Sequence, residues 1–387
     1  GALIAVFCVI VVIAGVLVSL PEERADSAEF KLSNLSVTPS EVEKGQTVTV
    51  TVDVQNTGGM RGTETVKFRI DGEVVTREVT LQAGEVGRIS FDFEAELEGA
   101  YDVEVAGLSQ SFMVVEKLAT IEIHFMDVGQ ADATLLLTPE VTMLVDAGHW
   151  QRRDVIGYLQ DQGVEEIDLL VATHAHADHI GQMREVIEDF MVHEVWMSGD
   201  LHSSDTFEGV VGAIEQSDVG YVEPRAGEVY GMGDLRIEVL HPEELTGDLH
   251  EGCLAFRVVF DEFQVMFTGD LEEEMEMKIM ERNLELDADV YQVGHHGSQT
   301  SSSEEFLLEV DPEVAVYSAG EDNSYGHPHQ EVIDRMNNMD ITVYGTDIHG
   351  TIIITGDTSG YFTVDTEYET DPLVSSNFIT RFQLIRG

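Results

Sequence analysis

Cysteine and proline are both scarce in this sequence. Its 387 residues include two cysteines, Cys8 and Cys253. Cys8 lies in an apolar run and Cys253 lies deep in the main domain, so no disulfide between them is expected and cysteine usage does not identify the redox compartment. Only 8 residues are proline and 43% are hydrophobic, a composition that excludes an intrinsically disordered chain.

Basic residues are also few: 20 Lys and Arg stand against 74 Asp and Glu, for a formal net charge of −54. This balance excludes a basic nucleic-acid-binding surface of the usual kind. So much negative charge makes a compact chain repel itself, unless salt shortens the screening length to about 3 Å at 1 M. The composition resembles that of haloarchaeal proteins; the alternative is a merely acidic secreted protein.

One long uncharged apolar run is present, at residues 2–18 (ALIAVFCVIVVIAGVLV). A single run excludes several membrane spans within this sequence. Its length approaches the ~20 residues that cross a bilayer, and it also matches the core of a signal peptide. We expect residues 1–20 to be a signal or transmembrane segment rather than a buried helix. The rest of the chain would then be exported, either secreted or held at the extracellular face of the cytoplasmic membrane.

Residues 29–116 read as all β. Apolar and polar residues alternate, Thr and Val dominate, and turn signals recur often enough to predict seven or so short strands. That spacing predicts a sandwich. The stretch resembles the immunoglobulin-like, cell-adhesion-related module of secreted archaeal and bacterial proteins. It contains no His or Cys, so we expect a spacer or a module that binds a cell-surface partner.

Residues 118–368 change pattern, because strand-like apolar runs now alternate with helical stretches. This alternation predicts an α/β sandwich of layers. The final residues, 369–387, are short, mixed in pattern and unassigned. The predicted helical stretches are 154–163, 184–191, 271–283 and 330–339.

A metal-binding motif follows the apolar strand LLVAT. Residues 173–179 (THAHADH) carry four metal-capable side chains: His174, His176, Asp178 and His179. A chain that turns at a strand end can bring such side chains to one point. Imidazole and carboxylate suit Zn²⁺, Mn²⁺ or Fe. A chance group of solvated histidines is the weaker interpretation.

His-x-His-x-Asp-His after a strand resembles the signature of the metallo-β-lactamase fold superfamily. The resemblance implies a four-layer αββα fold with two divalent metal ions, zinc or manganese, between its two sheets. It implies that His174 and His176 hold one ion, and that Asp178 and His179 hold the other.

Later motifs complete the ligand set that the resemblance implies. Asp270, at the end of a strand, would bridge both ions. One of His295 and His296 would complete the second site; we prefer His295, and the other would face substrate or orient the first. His250 could complete the first site, Cys253 could, or neither, since a buried cysteine is more often a small core residue.

The order of the motifs narrows the resemblance to the metallo-β-lactamase domain of the ComEC/Rec2 DNA-uptake proteins, over about residues 118–366. The motifs are residues 127–133 (DVGQADA), 144–148 (LVDAG), 173–179, 268–270 (TGD), 294–303 (GHHGSQTSSS) and 323–329 (NSYGHPH).

Several residues in these motifs have expected supporting roles. Asp146 would hydrogen-bond a ligand histidine and fix its tautomer. Asp127 and Asp132 would each fix the loop or touch metal. Ser298 and residues 301–303 would donate to phosphate or cap the next helix. His327 would contact the scissile group or the leaving oxygen.

We therefore expect a metal-dependent hydrolase in which two ions generate hydroxide and clamp a phosphate. Asp178 would orient the hydroxide, and His327 and His296 would face the substrate. An extracellular nuclease is the preferred function, with nucleic acid or another phosphodiester as partner. The alternatives are hydrolysis of small phosphodiesters of phosphocholine type, hydrolysis of amides or thioesters, and a non-catalytic surface binding protein.

Overall fold

The computed structural model describes residues 27–373. The predicted signal or membrane segment at residues 1–20, with Cys8, lies outside the described residues, as does most of the tail (374–387). The chain divides between Lys117 and Leu118 into two compact units. Between residues 27 and 373, no helix is long and apolar enough to cross a membrane.

The first unit is all β, as predicted, with two sheets in the orders β1-β3-β6 and β2-β8-β7-β4-β5. Alternation builds it: β3 buries Val48, Val50, Val52 and Val54 and turns the residues between them outward. The strands are β1 (Phe30–Thr38), β2 (Glu41–Glu43), β3 (Thr47–Asn56), β4 (Gly62–Ile70), β5 (Glu73–Leu81), β6 (Val86–Glu94), β7 (Gly99–Val105) and β8 (Leu108–Val115).

The second unit contains two larger sheets. The first has the order β14-β13-β12-β11-β10-β9-β22-β23. Its strands are β9 (Thr120–Phe125), β10 (Thr134–Leu137), β11 (Thr142–Val145), β12 (Glu166–Val171), β13 (Met191–Trp196), β14 (Gly220–Val222), β22 (Ile352–Asp357) and β23 (Phe362–Thr366).

The second of these sheets has the order β15-β16-β17-β18-β19-β20-β21. Its strands are β15 (Val229–Met232), β16 (Leu235–His241), β17 (Ala255–Phe260), β18 (Phe263–Phe267), β19 (Val290–Gln292), β20 (Val314–Tyr317) and β21 (Thr342–Gly345). Each of the two larger sheets combines antiparallel strands with parallel strands that helices connect.

The helices of the second unit cover the outer faces of the two sheets. They are α1 (Asp154–Asp161), α2 (Met183–Asp189), α3 (Asp205–Gln216), α4 (Glu273–Glu281), α5 (Glu304–Val310), α6 (Gln330–Asn338) and α7 (Thr346–His349). One core lies between the sheets, with Phe125 and Leu169 from the first and Phe256 from the second. The apolar faces of α1–α3 form a second core and those of α4–α6 a third. The fold is therefore the predicted four-layer αββα arrangement.

Four helices begin and end within two residues of the predicted stretches, and α3, α5 and α7 lie outside those stretches. The N-cap of α3 is Ser204, whose side chain accepts a hydrogen bond from the N–H of Phe207 at 3.2 Å. Val210 and Ala213 continue the buried face of the helix. Of the tail, Leu373 forms a bridge to Val343 on β21.

The carboxyl ends of the parallel strands position the site. Strands β11 and β12 run parallel in one sheet, and β18, β19 and β20 run parallel in the other. Ligands of such sheets bind outside the carboxyl ends of the strands. Four of the motifs lie at these ends: residues 144–148, 173–179, 268–270 and 293–298. Asp132 and His250 come from loops between antiparallel strands.

Candidate metal centre

Unusual backbone conformations present several of the site's side chains. Asp146, His295 and His296 have φ of +58°, +51° and +55°, in the left-handed region. Such conformations cost free energy for non-glycine residues and cluster at functional sites. His295 and His296 lie in the 3₁₀ turn Gly294–Gly297 that follows β19, and their backbone determines which imidazole enters the centre.

The first histidine–carboxylate cluster, called cluster 1 here, consists of His174, His176, His250 and Asp270. One potential ligand atom from each lies within 4.8 Å of all the others. His174 Nε2 lies 2.8 Å from His176 Nδ1 and 3.4 Å from Asp270 Oδ2. The His250 ring lies 4.8 Å from the His176 ring. Of the alternatives that the sequence left open, the structure therefore places His250 beside the predicted pair.

Cluster 2 consists of Asp132, His179, Asp270 and His296, all buried, under the same 4.8 Å criterion. His179 Nε2 lies 3.2 Å from Asp270 Oδ1, and His296 Nε2 lies 3.8 Å from the same oxygen. Asp132 Oδ2 lies 3.8 Å from His296 Nδ1. Because Asp270 belongs to both clusters, the two groups are adjacent.

The residues of cluster 2 fit a metal ion by a test that does not depend on the motif. The Nε2 atoms of His179 and His296 and Oδ1 of Asp270 are buried and have no hydrogen-bond partner. A buried polar atom left unpaired costs about 1–3 kcal/mol. Two imidazole nitrogens and a carboxylate oxygen that converge within ligand distance are the donor set of a divalent transition metal.

Asp146 orients His179 from the other side of its ring. Asp146 Oδ2 lies 2.8 Å from His179 Nδ1 and accepts from the hydroxyl of Thr173 at 2.7 Å. Its Oδ1 accepts from the N–H of Thr173 at 2.8 Å. With the Nδ1 proton engaged, the imidazole directs the lone pair of Nε2 toward Asp270.

Burial and mutual charge shift the pKa values of these groups. For Asp270, burial raises the pKa, but the charges of His179, His174 and His296 outweigh it and hold the pKa well below its usual range. For His179, burial lowers the pKa, but the Asp270 and Asp146 carboxylates outweigh burial and hold the pKa well above its usual range. The carboxylates and imidazoles thus shift each other's pKa values in opposite directions in the buried centre.

One sequence-based assignment, His295, differs from the geometry of cluster 2. Asp178 borders the cluster: its side chain is 32% exposed, and its Oδ2 lies 3.5 Å from His296 Nε2, the ring nitrogen that faces Asp270. The buried Asp132 lies 3.8 Å from the other ring nitrogen, Nδ1. His296, not the preferred His295, joins cluster 2. His295 Nε2 lies 3.8 Å from Asp270 Oδ2, and its Nδ1 lies 3.7 Å from Glu272. The reason is local: successive left-handed residues direct adjacent side chains apart.

Cys253 and Ser298 make local contacts with the backbone and belong to neither cluster. Cys253 is fully buried, its thiol donates to the carbonyl of Leu249 at 3.3 Å, and burial raises its pKa well above the usual range. The Ser298 hydroxyl makes a local turn, accepting from the N–H of Thr300 at 3.3 Å. Ser303 is the N-cap of α5, accepting from the N–H of Phe306 at 3.3 Å.

His327 lies beside the centre rather than in it. Its ring is 5.6 Å from that of His295 and 6.3 Å from that of His296, and its buried Nδ1 has no hydrogen-bond partner. Burial, with the nearby histidines, lowers the pKa of His327 to about 4. Asn323, which the sequence interpretation did not single out, accepts from the N–H of His327 at 3.1 Å.

Comparison with known proteins decides the family. The family model described as "Metallo-beta-lactamase superfamily" matches residues 126–321. The chain belongs to the metallo-beta-lactamase superfamily. A second model, described as CARDB, matches residues 28–111 and identifies the immunoglobulin-like first unit. With its buried His/Asp clusters, the chain is a metallo-hydrolase of this superfamily.

The chain is also similar to curated proteins of competence and recombination. It is 30% identical to ComE operon protein 3 of Bacillus subtilis, over 66% of this chain and 36% of that protein. It is 28% identical to Recombination protein 2 of Haemophilus influenzae, over 60% and 28% of the two chains. For Competence protein ComA of Neisseria gonorrhoeae the identity is 29%, over 58% and 31%. The chain therefore spans about a third of the length of these relatives.

Proposed function

We propose that this chain is a metal-dependent phosphodiesterase that cleaves nucleic acid. The observation that carries the proposal is the pair of histidine–carboxylate clusters that share Asp270. Enzymes that cleave phosphodiesters commonly place two ions about 3.5–4 Å apart, and a shared carboxylate is suited to that spacing.

We assign the ligands from the geometry of the side chains. His174, His176 and His250 would hold one ion, and Asp178, His179 and His296 the other, with Asp270 common to both. Asp132 Oδ2, 3.8 Å from Nδ1 of both His179 and His296, would orient the two rings. When bound, divalent ions polarise a phosphoryl oxygen and lower the pKa of a water from about 15.7 to about 7.

Three residues would act on the substrate side. Asp178, partly exposed next to His296, can accept a proton or a hydrogen bond from the attacking water. His327, whose ring lies 5.6 Å from that of His295 and 6.3 Å from that of His296, can hydrogen-bond a phosphate oxygen or the leaving oxygen. His295, half-buried between His250 and His327, can contact the phosphate.

Nucleic acid as substrate rests on the resemblance to the DNA-uptake proteins and on relatives named for competence and recombination. The net charge of −54 opposes that substrate in dilute salt. At 1 M salt the screening length falls to about 3 Å, so repulsion between exposed charges is weak beyond that distance. Bound cations would contact the phosphate locally. We further propose export through residues 1–20 to the extracellular face of the membrane or beyond, with the CARDB unit binding a cell-surface partner.

A cleavage assay tests the proposal directly. Purified protein would be incubated with Mn²⁺ or Zn²⁺ and single-stranded DNA in molar salt. We expect cleavage by the wild type, loss of at least about a hundredfold in His176→Ala, and normal activity in His202→Ala. His202 lies 6.1 Å from the His176 ring but outside both clusters, which makes it a matched control.

Small chromogenic diesters run in parallel separate the alternative substrates. Turnover of p-nitrophenylphosphocholine or of a thioester, with DNA left intact, would replace the nuclease assignment. No turnover of any of these substrates by metal-loaded protein would leave the non-catalytic surface binding protein as the better account.

A further inference from the structure

Tyr325 is an exposed aromatic residue at the edge of the candidate centre. Its side chain is 68% exposed, more than any other described aromatic side chain. Its ring stacks on that of His327, with the centroids 5.8 Å apart and the planes at 27°. Since one side of the tyrosine ring faces His327, the rest is open to solvent next to the groups that would contact the scissile phosphate.

The loop that carries Tyr325 is organised by one amide side chain. Asn323 Oδ1 accepts from the N–H of Tyr325 and from that of His327, both at 3.1 Å. Asn323 Nδ2 donates to the carbonyl of Gly320 at 2.9 Å and to that of His327. Gly326 has φ +75°, which lets the chain turn tightly between the two rings. The exposed ring is therefore presented by a fixed turn.

The same loop is tied to the turn that carries His295 and His296. The N–H of His329 donates to the carbonyl of Gly297 at 2.9 Å, and His329 Nδ1 accepts from the N–H of Gln299 at 3.0 Å. A Cβ on Gly297 would lie 2.6 Å from Pro328, so the two segments are in close contact. These contacts hold Tyr325 at a set position relative to the centre.

The chain has few basic residues with which to bind a polyanion such as nucleic acid. Phosphate contacts by Lys and Arg supply most non-specific affinity for nucleic acid. This chain has 74 acidic residues against 20 basic ones. The electrostatic contribution to nucleic-acid affinity is therefore weak or unfavourable here. Stacking of bases on aromatic rings needs no charge and tolerates any base sequence.

We propose that Tyr325 is a stacking platform for a nucleobase next to the scissile phosphate, a role that rests on the proposed nucleic-acid phosphodiesterase function. Tyr325 is a positioning residue: its ring orients the strand so that the neighbouring phosphate faces His327 and the clusters. Substrate affinity at this position then depends on a flat ring and not on the tyrosine hydroxyl.

The test compares Tyr325→Ala, Tyr325→Phe and the control Tyr361→Ala. Tyr361 is 60% exposed, in the turn between β22 and β23. Binding and cleavage are measured with single-stranded oligothymidylate and with an abasic oligomer of the same length. For Tyr325→Ala we expect KM and Kd for oligothymidylate to rise about 5- to 100-fold, with a smaller change in kcat. The abasic oligomer should not distinguish Tyr325→Ala from wild type, and the other two variants should match wild type with both substrates.

Equal losses on the two substrates would show that Tyr325 acts only through His327 and would overturn the proposal, as would no loss at all. Binding that depends on Tyr325 and on bases, without cleavage, would support the platform and refute the phosphodiesterase function. If wild type neither binds nor cleaves the oligomer, both proposals fail. Dependence on Tyr325 with p-nitrophenylphosphocholine alone would overturn the nucleobase in favour of a quaternary ammonium group.

Discussion

Asp146 shows how one residue can serve backbone and chemistry together. Its φ of +58° is a conformation that Asp and Asn tolerate better than most residues, because their short polar side chains hydrogen-bond locally. The same conformation brings both carboxylate oxygens onto their partners, His179 and Thr173. The motif LVDAG predicted this contact, because a strand-end carboxylate commonly orients a ligand histidine.

Asp146→Asn tests that contact. Asn keeps the backbone conformation but replaces one accepting oxygen with a donor, so His179 loses its preferred tautomer. We expect affinity for the ion at cluster 2 to fall about 10- to 100-fold, measured by competition with a chelator of known affinity. Asp161→Asn, at the exposed end of α1, is the matched control and should bind as wild type does. Unchanged affinity in Asp146→Asn would contradict the orienting role.

The choice between His295 and His296 and the position of Asp132 could not be predicted from the sequence, because both depend on the path of the backbone. His295 and His296 are neighbours of one type, and only the left-handed turn decides which faces Asp270. Asp132 precedes the histidine motif by some 40 positions, on a loop whose path depends on β9 and β10. Its N–H donates to the carbonyl of Asp178 at 3.1 Å, a contact that no local pattern encodes.

At the scale of elements, α4 and α5 are joined by a buried carboxylate. Glu276 on α4 accepts from the N–H of Ser302 at 2.6 Å and from that of Ser303 at 2.9 Å. Ser302 has φ +57°, so these bonds hold a strained turn just before α5. The serines after the His295–His296 turn are thus structural, and the sequence interpretation of them as helix-capping residues applies to Ser303.

Glu276→Ala would leave the two N–H groups without an acceptor. We expect the free energy of unfolding to fall by about 1–3 kcal/mol, measured by denaturant titration in molar salt. Glu273→Ala, an exposed carboxylate in the first turn of α4, is the control and should change stability much less. Equal effects of the two substitutions would refute the role assigned to Glu276.

The same carboxylate makes a prediction about pH. Burial raises the pKa of Glu276 in the folded protein, so the folded state holds this proton more tightly than the unfolded state does. Its contribution to stability is full below the unfolded pKa of about 4.3 and is lost as pH rises through the folded pKa. The stability of wild type minus that of Glu276→Gln should therefore fall from about pH 4 upward and then level off. A difference that grows with pH would contradict this assignment.

The strand and helix pattern was accessible from sequence for most of the second unit because each element carries a clear period. The strand β14 was not among the predicted strands, since its three residues show no period. Helix α3 is amphipathic but was not among the predicted stretches. The convergence of the loops on one site could be predicted only from the family resemblance, because periodicity alone does not say which strands are neighbours.

At the scale of the whole molecule, the net charge of −54 predicts that stability depends on salt. Mutual repulsion of carboxylates destabilises a compact chain, and salt screens it. We expect the thermal midpoint to rise by about 10 °C or more between dilute and molar KCl, followed by circular dichroism. Sucrose at equal osmolality is the control, because sucrose is excluded from the protein surface but does not screen charge. A midpoint independent of KCl would contradict the salt-adapted interpretation.

The central claim is that side chains from five separate loops bind two divalent ions, and metal content per chain tests it most directly. Protein equilibrated with buffered Zn²⁺ or Mn²⁺ would be analysed by plasma mass spectrometry. We predict two ions in wild type, in His202→Ala and in Cys253→Ala, one in His176→Ala and in His296→Ala, and fewer than one in Asp270→Asn, which alters both clusters. A wild type without bound metal, or variants that all retain two ions, would contradict the account.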